Sequence, residues 1–273
     1  TAVDANGRIT LGCAGIYNQT QIEGWKRISD FIHQHTSTKI GMQLGHSGRK
    51  GASKKPCETT FSGNSWELLS ASAVAFNENL NPEVSGPKEM TATDMDLVVS
   101  QFVQATKNAE EANFDMIELQ AHHGFLLASF LSPLTNIRTD EFGGSIENRL
   151  KFPLRVFSEM RKIFPKEKPM SVRISATDWA TNGISEADVL KIATAFKTAG
   201  ADIIDVSTGN TVADQKPQIG RMWQTPFSDL IRNTVQIPTI TAGYIQDIDQ
   251  INTIILNGRA DLVALGKPLL LDA

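Results

Sequence analysis

Six short apolar runs, each separated from the next by an amphipathic segment, constrain the fold of this 273-residue chain more than any other feature. Their length and their content of apolar and β-branched residues are typical of strands buried on both faces of a sheet. The runs are residues 39–44, 114–119, 169–174, 201–207, 238–243 and 260–266. Strands that alternate with helices in this way predict a parallel α/β architecture.

The amphipathic segments between these runs predict helices. The segment 94–112 has Thr93 as its candidate N-cap. One stripe of this helix holds Leu97, Val98, Phe102 and Ala105. The same pattern recurs in residues 20–35, 185–200, 227–235 and 247–258.

A doubly wound sheet and a (β/α)8 TIM barrel both fit this alternation. The spacings favour the barrel, and so do the polar residues that follow the strand ends. Because a barrel needs eight strands, we expect a fragment that lacks the first two strand units and a closing helix. Residues 1–273 should then form a single domain, incomplete at the N-terminus and at the C-terminus. The polar stretch 51–90 is expected to be an elaborated loop over the active face.

Composition excludes several classes of partner. The net charge of −4 gives no reason to expect nucleic acid or an anionic membrane. No apolar run approaches the roughly 20 residues that span a bilayer, and no signal peptide is recognisable. Cys13 and Cys57 are too few for a disulfide framework. We therefore expect a cytoplasmic protein.

Polar residues gather where the predicted strands end. They are Gln43, Gln120, His122, His123, Ser207, Thr208, Gly243, Gly266 and Lys267. Arg173 lies inside an apolar run and needs a partner, since an unpaired buried charge is very costly. That partner is either a planar anionic or carbonyl-rich ligand, or a carboxylate on a helix. Glycines at the ends of the last two strands are either simple turns or phosphate-binding amides. If they bind phosphate, these glycines, together with Lys267 and Arg173, indicate a phosphorylated cofactor that lies across the barrel mouth.

The remaining histidines carry less weight. Because His122 and His123 are adjacent, they point in different directions, and one of them should be structural. His46 is a secondary candidate, whereas His33 and His35 lie in a polar run at a helix end. No His, Cys, Asp and Glu cluster has the spacing of a metal site, so no metal is predicted.

Several longer motifs stand out along the chain, the longest being HGFLLASFLSPLTNIRTDEFGGSIENRLKF at residues 123–152. The others are GMQLGHSGRK (41–50), VRISATDW (172–179), DVSTG (205–209), ITAG (240–243) and LVALGKP (262–268). Together these motifs closely resemble the old yellow enzyme family of FMN-dependent NAD(P)H oxidoreductases. A narrower resemblance links GRMWQTPFSDLIRN (220–233) to the flavin reductase half of bifunctional aromatic-acyl-CoA monooxygenase/reductases, such as salicylyl-CoA 5-hydroxylase.

The resemblance implies a (β/α)8 barrel that holds FMN non-covalently. Gln43 would bind the pyrimidine edge of the flavin, and Arg173 would lie near its N1–C2=O region. The phosphate would be surrounded by Ser207, Gly243, Gly266 and Lys267. The family usually has arginine at the last position, so Lys267 loses the bidentate fork. NADH or NADPH would reduce the flavin, which would then reduce an activated C=C bond.

The substrate end of the site departs from the family pattern. Two polar residues of the family grip the substrate carbonyl oxygen, and Gln120 and His123 occupy those positions. His122 falls between them, where a small residue is usual. Phe125 replaces a tyrosine that can supply a proton, so the proton would have to come from another group, such as Tyr17 or Tyr244, or from solvent.

Four functions remain open at this point. The leading one is an FMN-dependent oxidoreductase acting on an enone or enoyl thioester, a small-molecule substrate. The others are the reductase domain of a bifunctional aromatic-acyl-CoA enzyme, a catalytically weakened flavin-binding module, and an unrelated phosphate-binding barrel. A homo-oligomer is also expected.

Overall fold

The computed structural model describes residues 1–54, 65–76 and 86–271. The strands are β1 (Gly41–Leu44), β2 (Leu69–Ser70), β3 (Lys88–Glu89), β4 (Met116–Ala121), β5 (Met170–Ser175), β6 (Ile203–Ser207), β7 (Thr239–Thr241) and β8 (Leu262–Val263). The helices are α1 (Gln19–His35), α2 (Ala92–Glu111), α3 (Leu126–Leu131), α4 (Ile146–Ile163), α5 (Glu186–Thr198), α6 (Thr225–Val235), α7 (Ile248–Leu256) and α8 (Lys267–Leu271).

The main sheet of the described residues is a curled parallel sheet in the order β1-β4-β5-β6-β7-β8. Helices separate its consecutive strands, so the predicted α/β class and the partial TIM barrel are confirmed. Ala2 forms parallel bridges with Gly15 and Gly45, which places the first residues beside the end of β1. The extent of the complete domain stays a prediction.

The two faces of this sheet differ in polarity. One face packs in the hydrophobic core through Met42, Leu44, Ile117, Leu119, Val172, Ile174, Ile204 and Val206. The other, which we call the lumen face, carries Gln43, Glu118, Gln120, Ser171, Arg173, Asp205 and Ser207. Side chains alternate across a strand, so each central strand serves both faces. The central strands are buried on both faces, as expected, but the lumen face is polar.

Helix α2 begins earlier than its sequence pattern indicated. Thr91, not Thr93, is the N-cap, because Thr91 Oγ1 accepts from the Asp94 backbone N–H at 3.2 Å. The Asp94 carboxylate accepts from the Thr91 backbone N–H at 2.8 Å, which completes a capping box. Leu97 is 54% exposed, so it does not belong to the buried stripe.

Two arginines bind the backbone of the described parts of the segment 51–90. It contains the short parallel pair β2 and β3. Arg49 donates to the carbonyls of Val74 and Ala75, and Arg138 donates to those of Ala71 and Met90. Residues 55–64 and 77–85, including Cys57, lie outside the described residues.

Candidate active site

A chain of hydrogen bonds crosses the lumen face from β1 to β5. Gln120 Nε2 donates to Gln43 Oε1 at 3.2 Å, and Gln43 Nε2 donates to Glu118 Oε1 at 2.8 Å. Ser171 Oγ donates to the other Glu118 oxygen at 2.8 Å. Neutral amide and hydroxyl donors therefore satisfy both oxygens of Glu118.

Arg173 lies between Gln120 and Asp205, its register partners on the neighbouring strands. Its Nε is 3.4 Å from Asp205 Oδ2. Asp205 is 6% exposed, and within the described residues its buried Oδ1 has no hydrogen-bond partner. Burial and the Glu118 carboxylate raise the pKa of Asp205 to about 7, although Arg173 opposes this rise. The carboxylate that pairs with Arg173 therefore lies on the adjacent strand and not on a helix, and the alternative of a bound ligand stays a prediction.

Arg173 also lines a cavity of about 810 Å³ at the carboxyl ends of β7 and β8. Gly243, Gly266 and Lys267 line the same cavity. Gly243 has a φ of +101°, and a Cβ there would lie 2.6 Å from the ring nitrogen of Trp223. Only glycine therefore fits at this position. Three of the four predicted phosphate residues share this cavity with Arg173.

His123 follows β4 with a φ of +55°, in the left-handed region. Its Nε2 lies 2.6 Å from Ser207 Oγ, and its backbone N–H donates to Ser175 Oγ at 2.9 Å. Burial lowers the pKa of His123 to about 3, and the positive charges of Arg173 and Lys50 add to this effect. The ring is therefore neutral at physiological pH.

A partly buried lysine lies beside His123. Lys50 Nζ donates to the carbonyls of His123 at 2.9 Å and Asn210 at 2.8 Å, and lies 5.1 Å from the ring centre of Phe125. Burial lowers the pKa of Lys50 to about 8, and the neighbouring Arg49 contributes. An amino group therefore lies next to the ring of Phe125.

Two further histidines near β1 and β4, His46 and His122, are buried among protein atoms. His122 is 4% exposed and stacks edge-on against His123 and Phe125, at centroid distances of 4.1 and 5.8 Å. Among the described residues neither of its ring nitrogens has a partner, and burial keeps its pKa well below the usual value. His46 Nδ1 accepts from the Gly48 backbone N–H at 3.0 Å, and burial lowers its pKa to about 4.

The predicted site residues form three groups, two joined by hydrogen bonds and one by a shared cavity. Gln43 bonds with Gln120, His123 bonds with Ser207, and Arg173 shares the cavity with the glycines and Lys267. Ser207 is fully buried and is not among the described residues that line that cavity. Its predicted phosphate contact stays a prediction.

Glu118, Asp205 and Lys50 were not predicted to belong to the site. Glu118 lies two residues before Gln120, and Asp205 lies two residues before Ser207. A period of two along a strand puts such pairs on one face, so the signal was present in the sequence. Lys50 lies beside His123 only because of the tertiary structure, so no spacing in the sequence indicates this contact.

Two features are absent from the described ranges. No group of three or more His, Cys, Asp or Glu residues in 1–54, 65–76 and 86–271 could hold a metal ion. No helix in those ranges is long and apolar enough to cross a membrane.

Bacterial NADPH dehydrogenases are similar to this chain over nearly its full length. An NADPH dehydrogenase of Clostridium acetobutylicum is 39% identical over 271 residues, which are 99% of this chain and 75% of the relative. An NADPH dehydrogenase of Bacillus subtilis is 38% identical over 273 residues, 100% of this chain and 75% of the relative.

Solved structures share the fold. A 2-naphthoyl-CoA reductase complex matches with a TM-score of 0.85 and 22% identity, over 99% of this chain and 42% of that one. Morphinone reductase bound to tetrahydroNAD matches with a TM-score of 0.77 and 24% identity, over 99% of this chain and 73% of that one.

The curled sheet and the relatives together define a flavin-dependent NAD(P)H oxidoreductase. A family model matches residues 1–273 in full. The chain belongs to the NADH:flavin oxidoreductase / NADH oxidase family. The resemblance to old yellow enzymes is thereby confirmed.

Proposed function

We propose that the protein uses FMN and NAD(P)H to reduce an activated C=C bond in an enone or enoyl thioester. One observation carries the flavin site. Arg173 lines the cavity of Gly243, Gly266 and Lys267, yet within the described residues neither of its terminal nitrogens donates to a protein acceptor. A guanidinium group with free donors at a barrel mouth suits the carbonyl edge of a flavin.

The residues present fit FMN at both of its ends. Gln43 Oε1 accepts one bond from Gln120 and retains a second lone pair for the pyrimidine edge. The cavity offers the backbone of Gly243 and Gly266 and the charge of Lys267 for the phosphate. When bound, FMN would supply hydride transfer from NAD(P)H to the acceptor.

Gln120 and His123 are proposed to hold the carbonyl oxygen of the acceptor. Both are neutral donors, because Gln120 carries an amide and the pKa of His123 is near 3. Donors placed where negative charge develops stabilise the transition state more than the ground state. Phe125 has no proton to give, so the proton comes from another group or from solvent.

The reductant is proposed to be NADPH, with NADH as the alternative. Support comes from the relatives of 36–39% identity, which are named NADPH dehydrogenases. The activated C=C acceptor rests on the family resemblance and on the Gln120 and His123 positions.

A weakened flavin-binding module is the second candidate function. It is favoured by Phe125, which lacks the tyrosine hydroxyl, and by the use of Gln120 Nε2 on Gln43 instead of in an open site. The reductase half of an aromatic-acyl-CoA enzyme rests on residues 220–233 alone. NADPH consumption with and without an enone or an aromatic acyl-CoA distinguishes the three.

The flavin site is tested with Arg173→Ala and with Arg155→Ala as its control. Arg155 is a half-exposed arginine on α4 that pairs with Asp96 on the surface. FMN affinity is measured by quenching of flavin fluorescence, and flavin reduction by absorbance after mixing with NADPH. Arg173→Ala should lose affinity or reduce slowly, while Arg155→Ala should behave as the parent. Parental binding and reduction in Arg173→Ala would refute the assignment.

A further inference from the structure

The lumen face holds two carboxylates whose surroundings are unequal. Both oxygens of Glu118 accept hydrogen bonds, from Gln43 and Ser171. Asp205 has one oxygen near Arg173, and within the described residues its other oxygen is buried without a partner. Buried polar atoms without partners are rare in folded proteins and call for an explanation.

The contact between Arg173 and Asp205 uses only one of the arginine's nitrogens. Nε faces Asp205 Oδ2 at 3.4 Å in an ion pair without a hydrogen bond, and both terminal nitrogens are left for other acceptors. The two residues are direct register partners on β5 and β6, so the sheet itself fixes their separation. An ion pair that restrains this long side chain lowers the conformational entropy that the arginine loses when a ligand binds.

We infer that Asp205 is a positioning residue that acts through Arg173: their ion pair restrains the guanidinium on its Nε side and leaves the terminal nitrogens free to bind FMN. The inference rests on the proposed function. Asp205 does not touch the ligand; its effect passes through the arginine, as supporting residues do in preorganised sites.

A dependence on pH follows from the groups that face Asp205. These are Glu118 on β4 and Arg173 on β5; its register partner on β7 is Ile240, which carries no charge. The pKa of Asp205 is raised to about 7 by burial and by Glu118. As the pH falls through that value, Asp205 gains a proton and loses its attraction for Arg173. FMN affinity should therefore weaken below pH 7.

The first experiment measures the dissociation constant of FMN from pH 5.5 to 8.5 in the parent, Asp205→Asn, Arg173→Lys and the double variant. At pH 8, Asp205→Asn should bind FMN about tenfold more weakly and should lose the change near pH 7. In the Arg173→Lys background, Asp205→Asn should add little, because lysine has no Nε–H to hold. Asp214→Asn, an exposed carboxylate in the loop after β6, should match the parent.

The second experiment does not depend on FMN. The Nε–H resonance of Arg173, followed by NMR in flavin-free protein, should shift with a midpoint near pH 7 and should not titrate in Asp205→Asn. A resonance that does not titrate in the parent would overturn the inference, even if Asp205→Asn fails to fold. Equal losses of FMN affinity on adding Asp205→Asn to the parent and to the Arg173→Lys variant would also overturn it. Absence of FMN binding by the parent would instead refute the proposed function, and the NMR result would still decide the role of Asp205.

Discussion

Replacing His123 with alanine should slow reduction of the acceptor and leave reduction of the flavin by NAD(P)H unchanged. The magnitude follows from the charge of the ring, because an imidazole with a pKa of about 3 is neutral at pH 7. Removing one preorganised donor from a developing oxyanion costs about 2.7–4 kcal/mol, or about 100- to 1,000-fold in rate. A neutral donor belongs at the lower end of that range, since charge-assisted bonds are the stronger ones.

The assay is rapid mixing of the two half-reactions, with flavin absorbance as the signal. Between pH 5 and 8, the contribution of His123 should not change, because its pKa lies below that window. His123→Asn is the matched control. Asparagine tolerates the left-handed backbone found here and supplies an amide donor, so it should lose less rate than alanine.

Equal rates of flavin reoxidation in the parent and in His123→Ala would show that the imidazole only packs against Ser207 and its neighbours. The weakened flavin-binding module would then be the better description of the protein. A loss confined to flavin reduction would also contradict the assigned role, because His123 is placed at the acceptor.

Three further predictions concern stability and are measured by urea denaturation. Gly243→Ala should cost about 1–3 kcal/mol through its positive φ and its clash with Trp223, whereas Gly24→Ala, which meets nothing within 4 Å in α1, should be neutral or stabilising. Phe157→Ala should cost about 3–5 kcal/mol, because the ring is fully buried against Phe196. His46 is buried and neutral with a pKa of about 4, so the unfolded state binds the extra proton below pH 6.5. Its contribution should fall by up to about 1.4 kcal/mol per pH unit between pH 6.5 and 4, and His46→Gln should remove that slope.

The order of strands and helices could be predicted because apolar periodicity reports burial directly. All six predicted strands of the main sheet are present, and helix α5 lies within the predicted segment 185–200. The start of α2 could not be fixed in the same way, because Thr91 and Thr93 are both good caps. The choice depends on the reach of Asp94 back to the backbone of Thr91.

The site was predicted in part. Gln43, Gln120 and Arg173 could be placed at strand ends or within strands from the sequence, and they do lie on one face. The pairing of His123 with Ser207 could not be predicted. It requires a left-handed backbone at His123, and it requires the end of β4 to lie close to the end of β6. Asp205, the partner of Arg173, was missed because it lies inside an apolar run and its spacing of two residues from Ser207 was not used.

The alternation along β4 makes this strand sensitive to the insertion or deletion of a single residue. Leu119 packs in the core and Gln120 faces the lumen, one residue apart. Losing a single residue upstream within β4 would exchange their sides, so that a leucine would enter the polar chamber and an amide would enter the core. We therefore expect β4 to accept substitutions far more readily than insertions or deletions.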